Sequence, residues 1–240
     1  MFFCKNKEIF VIVPFREDVT NTRHSHLKRF IYHITGQVPG SQILIIEQSK
    51  DKNKFNRGKL LNIGFELATS KSSSKSDIFI FHDVDLLPDL DLVASYATYP
   101  ETPLHFARRW ERYSKNPEYF GGVVSFCMED FYKINGYPNS YWGWGGEDDE
   151  LMRRYKEANL GPVPPNCPSH DGTYFDMEEL NLETKLQFLR KNPNLKNFKK
   201  WEGAAEHDAT WKTDGLRNLD YAILKKTYLG ETILKVTVKL

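Results

Sequence analysis

Three short apolar runs constrain this chain more than any other feature: IFVIVPF (9–15), SQILIIEQS (41–49) and DIFIFHDVDLLP (77–88). Each is rich in β-branched and aromatic residues and reads as a buried strand. Between them lie segments with apolar residues at helical spacing. SHLKRFIYHIT (25–35) is the first, and NRGKLLNIGFELATS (56–70) is the second, with Leu60, Ile63 and Leu67 on one stripe. A Pro39-Gly40 turn precedes the second strand, and SKSSSKS (70–76) reads as a solvated loop. Strand, helix, strand, helix, strand is the order of a parallel sheet with crossover helices, an α/β fold with a Rossmann-like, mostly parallel central sheet. Beyond residue 89 the pattern is mixed. GGVVSFCM (121–128) predicts a short strand, and the closing ETILKVTVKL (231–240) alternates like an edge strand.

A length of 240 residues fits one large domain or two small ones sharing a core. The net charge of +1 predicts no broad attraction to nucleic acid or anionic lipid. No apolar run approaches the roughly 18 residues that span a bilayer. The N-terminal MFFCKNKEIFVIVPF is interrupted by Lys-Asn-Lys-Glu and has no small-residue cleavage site, so no signal peptide is expected. Cys4, Cys127 and Cys167 form no CxxC and cannot all pair, which suits a reducing compartment. The expectation is a cytoplasmic monomer with no transmembrane segment and no nucleic-acid partner.

His82-Asp83-Val84-Asp85 ends the third strand, where ligands sit in open α/β sheets. Strand alternation would put Asp83 and Asp85 on one side, about 7 Å apart. Carboxylates that close raise each other's pKa unless a cation joins them, and their hard oxygens suit Mg²⁺ or Mn²⁺ holding a diphosphate. A polar strand end whose aspartate caps the next turn explains the pair equally well, and His82 reads as a neighbour rather than a ligand. The second motif is YWGWGGEDDELMRRY (141–155). Gly143, Gly145 and Gly146 allow close backbone approach or a hinge, and Trp142 and Trp144 offer flat faces for sugar rings or bases. A carboxylate partly desolvated by indole can act as a general base, and a glycine hinge with an aromatic blade suits a lid. Alternatively the tryptophans are core and the acidic run is a helix N-terminus favoured by the macrodipole. Both hold together if Asp149 and Glu150 serve the helix while Glu147 and Asp148 face a cleft. Arg16 at a strand end and Arg57 at a helix start are placed to meet phosphate, with Phe15 and Phe55 as stacking surfaces. Read singly, each arginine is an ordinary surface residue.

VPFR (13–16), FNRGKLLNIGF (55–65), HDVDLLP (82–88), YFGGVVSF (119–126), INGYPNSYWGWGGEDDELMRR (134–154) and DGLRNLDYAIL (214–224) occur here in one order. Together they resemble the β1,4-galactosyltransferase family, from about Ile9 to the C-terminal strand. The resemblance implies one GT-A domain, with residues 1–88 as the nucleotide-binding half and 89–240 as the acceptor and lid half. It implies an inverting, metal-dependent transfer from a UDP-sugar to a sugar hydroxyl of a glycan or glycoconjugate acceptor. Asp148 would be the catalytic base, Glu147 would orient the acceptor, and Trp144 would be the lid tryptophan, with Gly145 and Gly146 beside the acceptor. Pro14, Phe15, Arg16, Phe55 and Arg57 would line the uridine and phosphate pocket. Asp83 and Val84 would meet the donor sugar or ribose, and Asp85 would bind Mn²⁺, with Mg²⁺ as the alternative. A bulky Tyr119 goes with galactose, because it crowds the N-acetyl group of N-acetylgalactosamine, so UDP-galactose is the implied donor over UDP-N-acetylgalactosamine.

The remaining metal ligands depart from the family, which supplies them as Met-x-x-His or His-x-His. Cys167-Pro-Ser-His170 copies the first spacing with a thiol, and EHDATWK (206–212) resembles the second. Counting back from DGLRNL instead makes GTYFDMEEL (172–180) the ligand strand, with Glu178 or Glu179 at the histidine position. The expected set is Asp85, His170 and His207, with an all-oxygen site completed by Glu179 as its competitor. The stretch 171–201, with MEELNLETKLQFLRKNPNLKNFKKW, reads as an amphipathic helix and a basic loop, either for acceptor or partner contact or as solvated surface. Two other functions compete: a catalytically inactive sugar- or nucleotide-sugar-binding protein on this fold, and a metal phosphohydrolase, which leaves the tryptophan-glycine stretch unexplained.

Overall fold

The computed structural model describes residues 7–17, 22–169 and 171–240; Cys4 and His170 lie outside them. The three apolar runs form β1 (Ile9–Phe15), β2 (Gln42–Gln48) and β3 (Ile78–His82), with β1 parallel to both neighbours. Helices α1 (Thr22–Gln37) and α2 (Arg57–Thr69) are the crossovers. Asn56 caps α2 by accepting from the Lys59 amide. Gly64 lets that helix lie on the sheet, since a Cβ there would fall 2.2 Å from Ile12 Cγ2.

The run 77–88 is not one strand. β3 stops at His82, the Asp83 amide donates to Gly122 O at 3.0 Å, and Val84-Asp85 makes a turn. β4 (Leu86–Pro88) then leaves to pair with β7 (Tyr174–Asp176) in a separate ribbon. Pro88 has no N–H for a central ladder, so the segment suits a two-stranded ribbon better than a sheet interior. Asp83 and Asp85 are therefore related by a turn and not by strand alternation.

The rest of the chain adds α3 (Leu90–Ala94), β5 (Leu104–His105), β6 (Val123–Phe126), α4 (Met128–Lys133) and α5 (Glu147–Glu157). It continues with α6 (Leu182–Lys191), α7 (Lys200–Ala205), α8 (His207–Thr210), β8 (Ala222–Gly230) and β9 (Ile233–Lys239). The main sheet runs β5-β6-β3-β1-β2-β9-β8. Its four central strands, β3, β1, β2 and β9, are parallel, with antiparallel pairs at both ends. The closing strand is thus not an edge, because β8 pairs outside it and stands exposed along nearly its whole length. The alternation of β9 has another source. Leu234, Val236 and Val238 enter the core, while Lys235 and Thr237 reach Glu47 on the opposite face.

Alternation along β1 and β3 feeds two apolar layers. Val11, Val13 and Ile80 pack with Phe30 and Ile34 of α1, and Phe10, Ile12, Phe79 and Phe81 pack with α2, Phe131 and Leu151. Two buried polar locks join the later chain to this frame. Asn62 of α2 bonds Tyr137 N, Tyr137 O and Asn139 Oδ1, and Asn139 in turn donates to Gly215 O and Asn218 Oδ1. In α5, Arg154 donates to Glu150 Oε1 at 2.9 Å and to the carbonyls of Asn135 and Gly136, both side chains being almost inaccessible. Truncating one partner strands the other charge. Arg154→Ala is expected to cost about 3–5 kcal/mol, read as a lowered denaturation midpoint, with part recovered by adding Glu150→Leu.

Candidate active site

The site is organised by Arg57, the first residue of α2. Its Nε donates to Asp83 Oδ1 at 2.6 Å and its Nη1 to Asp148 Oδ1 at 2.8 Å, with Glu147 Oε1 at 3.8 Å. One guanidinium thus gathers the carboxylate that follows β3 and the two that begin α5. Gly146 starts that helix in the left-handed region (φ 104°), and a Cβ there would meet the Tyr141 ring at 2.8 Å. Asp148 Oδ2 rests against Gly121, where a Cβ would lie 2.0 Å from the oxygen and 2.9 Å from Tyr119 Cε2. Tyr119 stacks on Tyr113 with centroids 4.3 Å apart, and His105 shares a 3.0 Å hydrogen bond with Gly121 O.

Burial pushes Asp148 well above the usual carboxylate range, against the opposing pull of Arg57. Burial raises Glu147 as well, again opposed by Arg57. Arg57 Nη2 and Glu147 Oε2 are buried without a hydrogen-bond partner among the described residues. Such atoms are costly unless something polar completes them. His82 behind Asp83 is held neutral by burial, with its pKa near 3, and shares a 2.7 Å bond with Tyr96 OH.

A second cluster surrounds Asp85. Arg23 Nη1 lies 3.4 Å from Asp85 Oδ2, and its Nη2 lies 3.0 Å from Glu178 Oε1. Lys185 donates to Glu178 Oε2 at 2.7 Å, and Arg112 donates to Glu178 Oε2 at 2.9 Å and to Asp176. The Met177 amide bonds Asp85 O, which brings the end of β7 to this turn. Burial alone would raise Glu178, but Lys185, Arg23 and Arg112 hold it at about 2. Burial raises Asp85 against the pull of Arg23. Among the described residues no three His, Cys, Asp or Glu side chains already converge as a metal-ligand group.

Trp144, two residues before the Gly146 cap of α5, is 38% exposed. Its amide donates to Leu195 O, its carbonyl accepts from Asn197 N, and the Gly143 amide donates to Phe55 O. Gly143 and Gly145 are left-handed, and a Cβ on Gly143 would meet the Leu195–Lys196 backbone at 2.8 Å. The basic loop after α6 is thereby stitched to the tryptophan-glycine stretch.

Residues 3–97 match the N-terminal region of glycosyl transferase group 7, and residues 101–179 match the N-terminal domain of galactosyltransferase. Human β-1,4-galactosyltransferase 6 is 39% identical over 226 residues, covering 91% of this chain and 53% of that one. The chain belongs to the β1,4-galactosyltransferase family. β-1,4-Galactosyltransferase 4 of Cricetulus griseus is 34% identical over 232 residues, 92% of this chain and 60% of its own. The galactosyltransferase-family chain thus spans between about half and three-fifths of the curated relatives it matches. Among solved structures, a mutant of Drosophila β1,4-galactosyltransferase 7 with manganese, UDP-Gal and xylobiose superposes with a TM-score of 0.74 at 28% identity. It covers 98% of this chain and 94% of that one. A Pyrobaculum calidifontis mannosyltransferase in complex with GDP-Man and Mn²⁺ shares the fold at a TM-score of 0.51 and 12% identity, covering 87% of this chain and 65% of its own. The fold is GT-A.

Several expected residues of this galactosyltransferase-family chain meet at Arg57: Asp83, Glu147, Asp148 and, across Gly121, Tyr119. Others stand elsewhere. Phe15 and Val84 are 2% exposed and pack in the core, and Pro14 is buried in β1. Arg16 donates to Asn53 O at 2.7 Å and braces the 51–53 loop. His207 is not brought to Asp85, because α8 packs against α5, where His207 Nδ1 bonds Glu150 Oε1 at 2.8 Å. Glu179 faces solvent with φ 51°, while Glu178 is the glutamate beside Asp85. Gly121, Tyr113, His105, Arg23, Arg112 and Lys185 went unread. Only the glycine pair after Tyr119-Phe120 offered a signal.

The raised carboxyl of Asp148 makes a pH prediction. A folded pKa above the unfolded value contributes stability below the unfolded pKa, and that stability is lost as pH rises through the folded pKa. Asp148→Asn removes this titration. Its denaturation midpoint relative to the unmutated protein is therefore expected to rise between pH 4 and pH 8 in ligand-free thermal melts.

Proposed function

We propose that this protein transfers galactose from UDP-galactose to a sugar hydroxyl of a glycan or glycoconjugate acceptor, inverting the anomeric carbon. The observation that carries the reading is Asp148, a desolvated carboxylate fixed by Arg57 and lying against the Gly121–Tyr119 wall. A carboxylate whose pKa is raised by burial is a stronger base toward a hydroxyl proton than an exposed one. The acceptor O–H proton passes to Asp148 as the acceptor oxygen attacks C1 from the face opposite the diphosphate. The C1–O bond breaks, and its electron pair leaves with UDP. Arg57 opposes protonation of Asp148 and fixes its orientation, and the unpartnered Glu147 Oε2 accepts from an acceptor hydroxyl. Trp144 supplies an exposed ring face for the acceptor, and Tyr119 narrows the space around the donor sugar's C2 substituent.

The oxygens of Asp85 and Glu178 suit a hard divalent cation, Mn²⁺ or Mg²⁺, which when bound would offset charge on the leaving diphosphate. We also propose a cytoplasmic location and a monomeric state, the former on the free thiols of Cys127 and Cys167. Among the described residues no helix is long and apolar enough to cross a membrane. Immunolocalisation of the tagged, full-length gene product inside a membrane-bounded lumen would overturn the cytoplasmic assignment.

Asp148→Asn is expected to lower transfer by about 10²–10⁴-fold while UDP-galactose still binds, measured by UDP release and calorimetry. Unchanged turnover would sink the base assignment. Donor binding without turnover on any acceptor would favour the binding-protein alternative. Tyr119→Leu is expected to raise turnover of UDP-N-acetylgalactosamine relative to UDP-galactose, and an unchanged donor ratio would remove Tyr119 from donor choice.

A further inference from the structure

One guanidinium spans the two carboxylates that a divalent cation would have to share. Arg23 reaches Asp85 with one terminal nitrogen and Glu178 with the other. The other two cations of the cluster are held differently. Arg112 is 4% exposed, and its Nε is fixed to Leu180 O at 2.8 Å while its other nitrogens hold Asp176 and Glu178. Lys185 grips both oxygens of Glu178 and leaves Asp85 alone. Arg112 is therefore part of the frame. Arg23 keeps 34% of its side-chain surface exposed and touches Asp85 at 3.4 Å, the long end of a hydrogen bond. Its two carboxylate partners are only 10% and 13% exposed, so the bridge is released only where another cation takes over both of them.

We propose that Arg23 is a place-holder for the divalent cation: it neutralises Asp85 and Glu178 in the metal-free protein, is displaced as the metal enters, and then pairs with the donor's diphosphate. The proposal rests on the donor reading above. A doubly charged ion and a guanidinium repel strongly at contact distance in a partly buried site, so the two cannot share the same oxygens. The diphosphate restores balance by giving the released guanidinium an anion that it can bind in a bidentate manner. Metal and nucleotide then bind cooperatively, each tightening the other by the same factor.

The test is calorimetry on the unmutated protein, Arg23→Gln and Arg23→Lys, titrated with Mn²⁺ alone and with UDP in Mn²⁺ or EDTA. Thermal melts verify that the variants fold. Arg23→Gln is expected to bind Mn²⁺ alone about tenfold more tightly, equivalent to ~1.4 kcal/mol, and to lose much of the Mn²⁺ dependence of UDP binding. Arg23→Lys keeps the charge and is expected to stay near the unmutated protein. Unchanged or weaker Mn²⁺ affinity in Arg23→Gln, or no Mn²⁺ binding by any of the three, overturns the proposal, as does UDP binding that is equal in Mn²⁺ and EDTA. Unmutated protein that binds Mn²⁺ but no UDP would instead defeat the donor reading and the diphosphate step, and the Mn²⁺ comparison would still decide whether Arg23 holds the metal's place.

Discussion

Arg57 is the charge on which the arrangement of this molecule depends. It is the only cation hydrogen-bonded to Asp83 and Asp148 among the described contacts, with Glu147 just beyond bonding distance. Three carboxylates brought together in a largely buried place would repel one another and take up protons. With one guanidinium among them, Asp83 and Asp148 are hydrogen-bonded and oriented, while burial still raises the carboxyls of Glu147 and Asp148. That is a strained compromise. It leaves Arg57 Nη2 and Glu147 Oε2 buried without a hydrogen-bond partner among the described residues.

The compromise needs a rigid frame, because the carboxylates come from elements far apart in sequence. α2 carries Arg57 on the apolar face of the sheet, pressed down at Gly64. Asn62, on the same helix, ties the Tyr137–Asn139 segment to the Gly215 turn. Glu150 joins Arg154 and His207 beneath α5, so the helix that presents Glu147 and Asp148 is gripped on its buried side. Each lock is a fully bonded polar group in a low-dielectric place, which holds geometry where apolar packing alone would tolerate slippage.

Much of this was legible. The apolar runs and their helical spacers named the parallel core, and the glycine-tryptophan block marked the entry to α5, where three glycines adopt left-handed backbone. Illegible parts share one cause: they depend on contacts between distant segments. Alternation could not show that the chain turns at Val84 and leaves the sheet at Leu86, because nothing local reveals that β6 arrives at β3 and takes the Asp83 amide at Gly122. His207 looked free to bind a metal because Glu150 lies 57 residues away in sequence.

The sequence by itself determined the fold class, the family and the presence of paired carboxylates beside a run of glycines, since these follow from local periodicity and from long contiguous motifs. Only the tertiary structure decided which charge neutralises which. Arg57, expected at the phosphates, is bonded to Asp83 and Asp148, and Arg23, Arg112 and Lys185 gather around Asp85 and Glu178. Charge pairing acts across a few ångströms of space whatever the separation along the chain, and so it is settled only when packing brings the elements together.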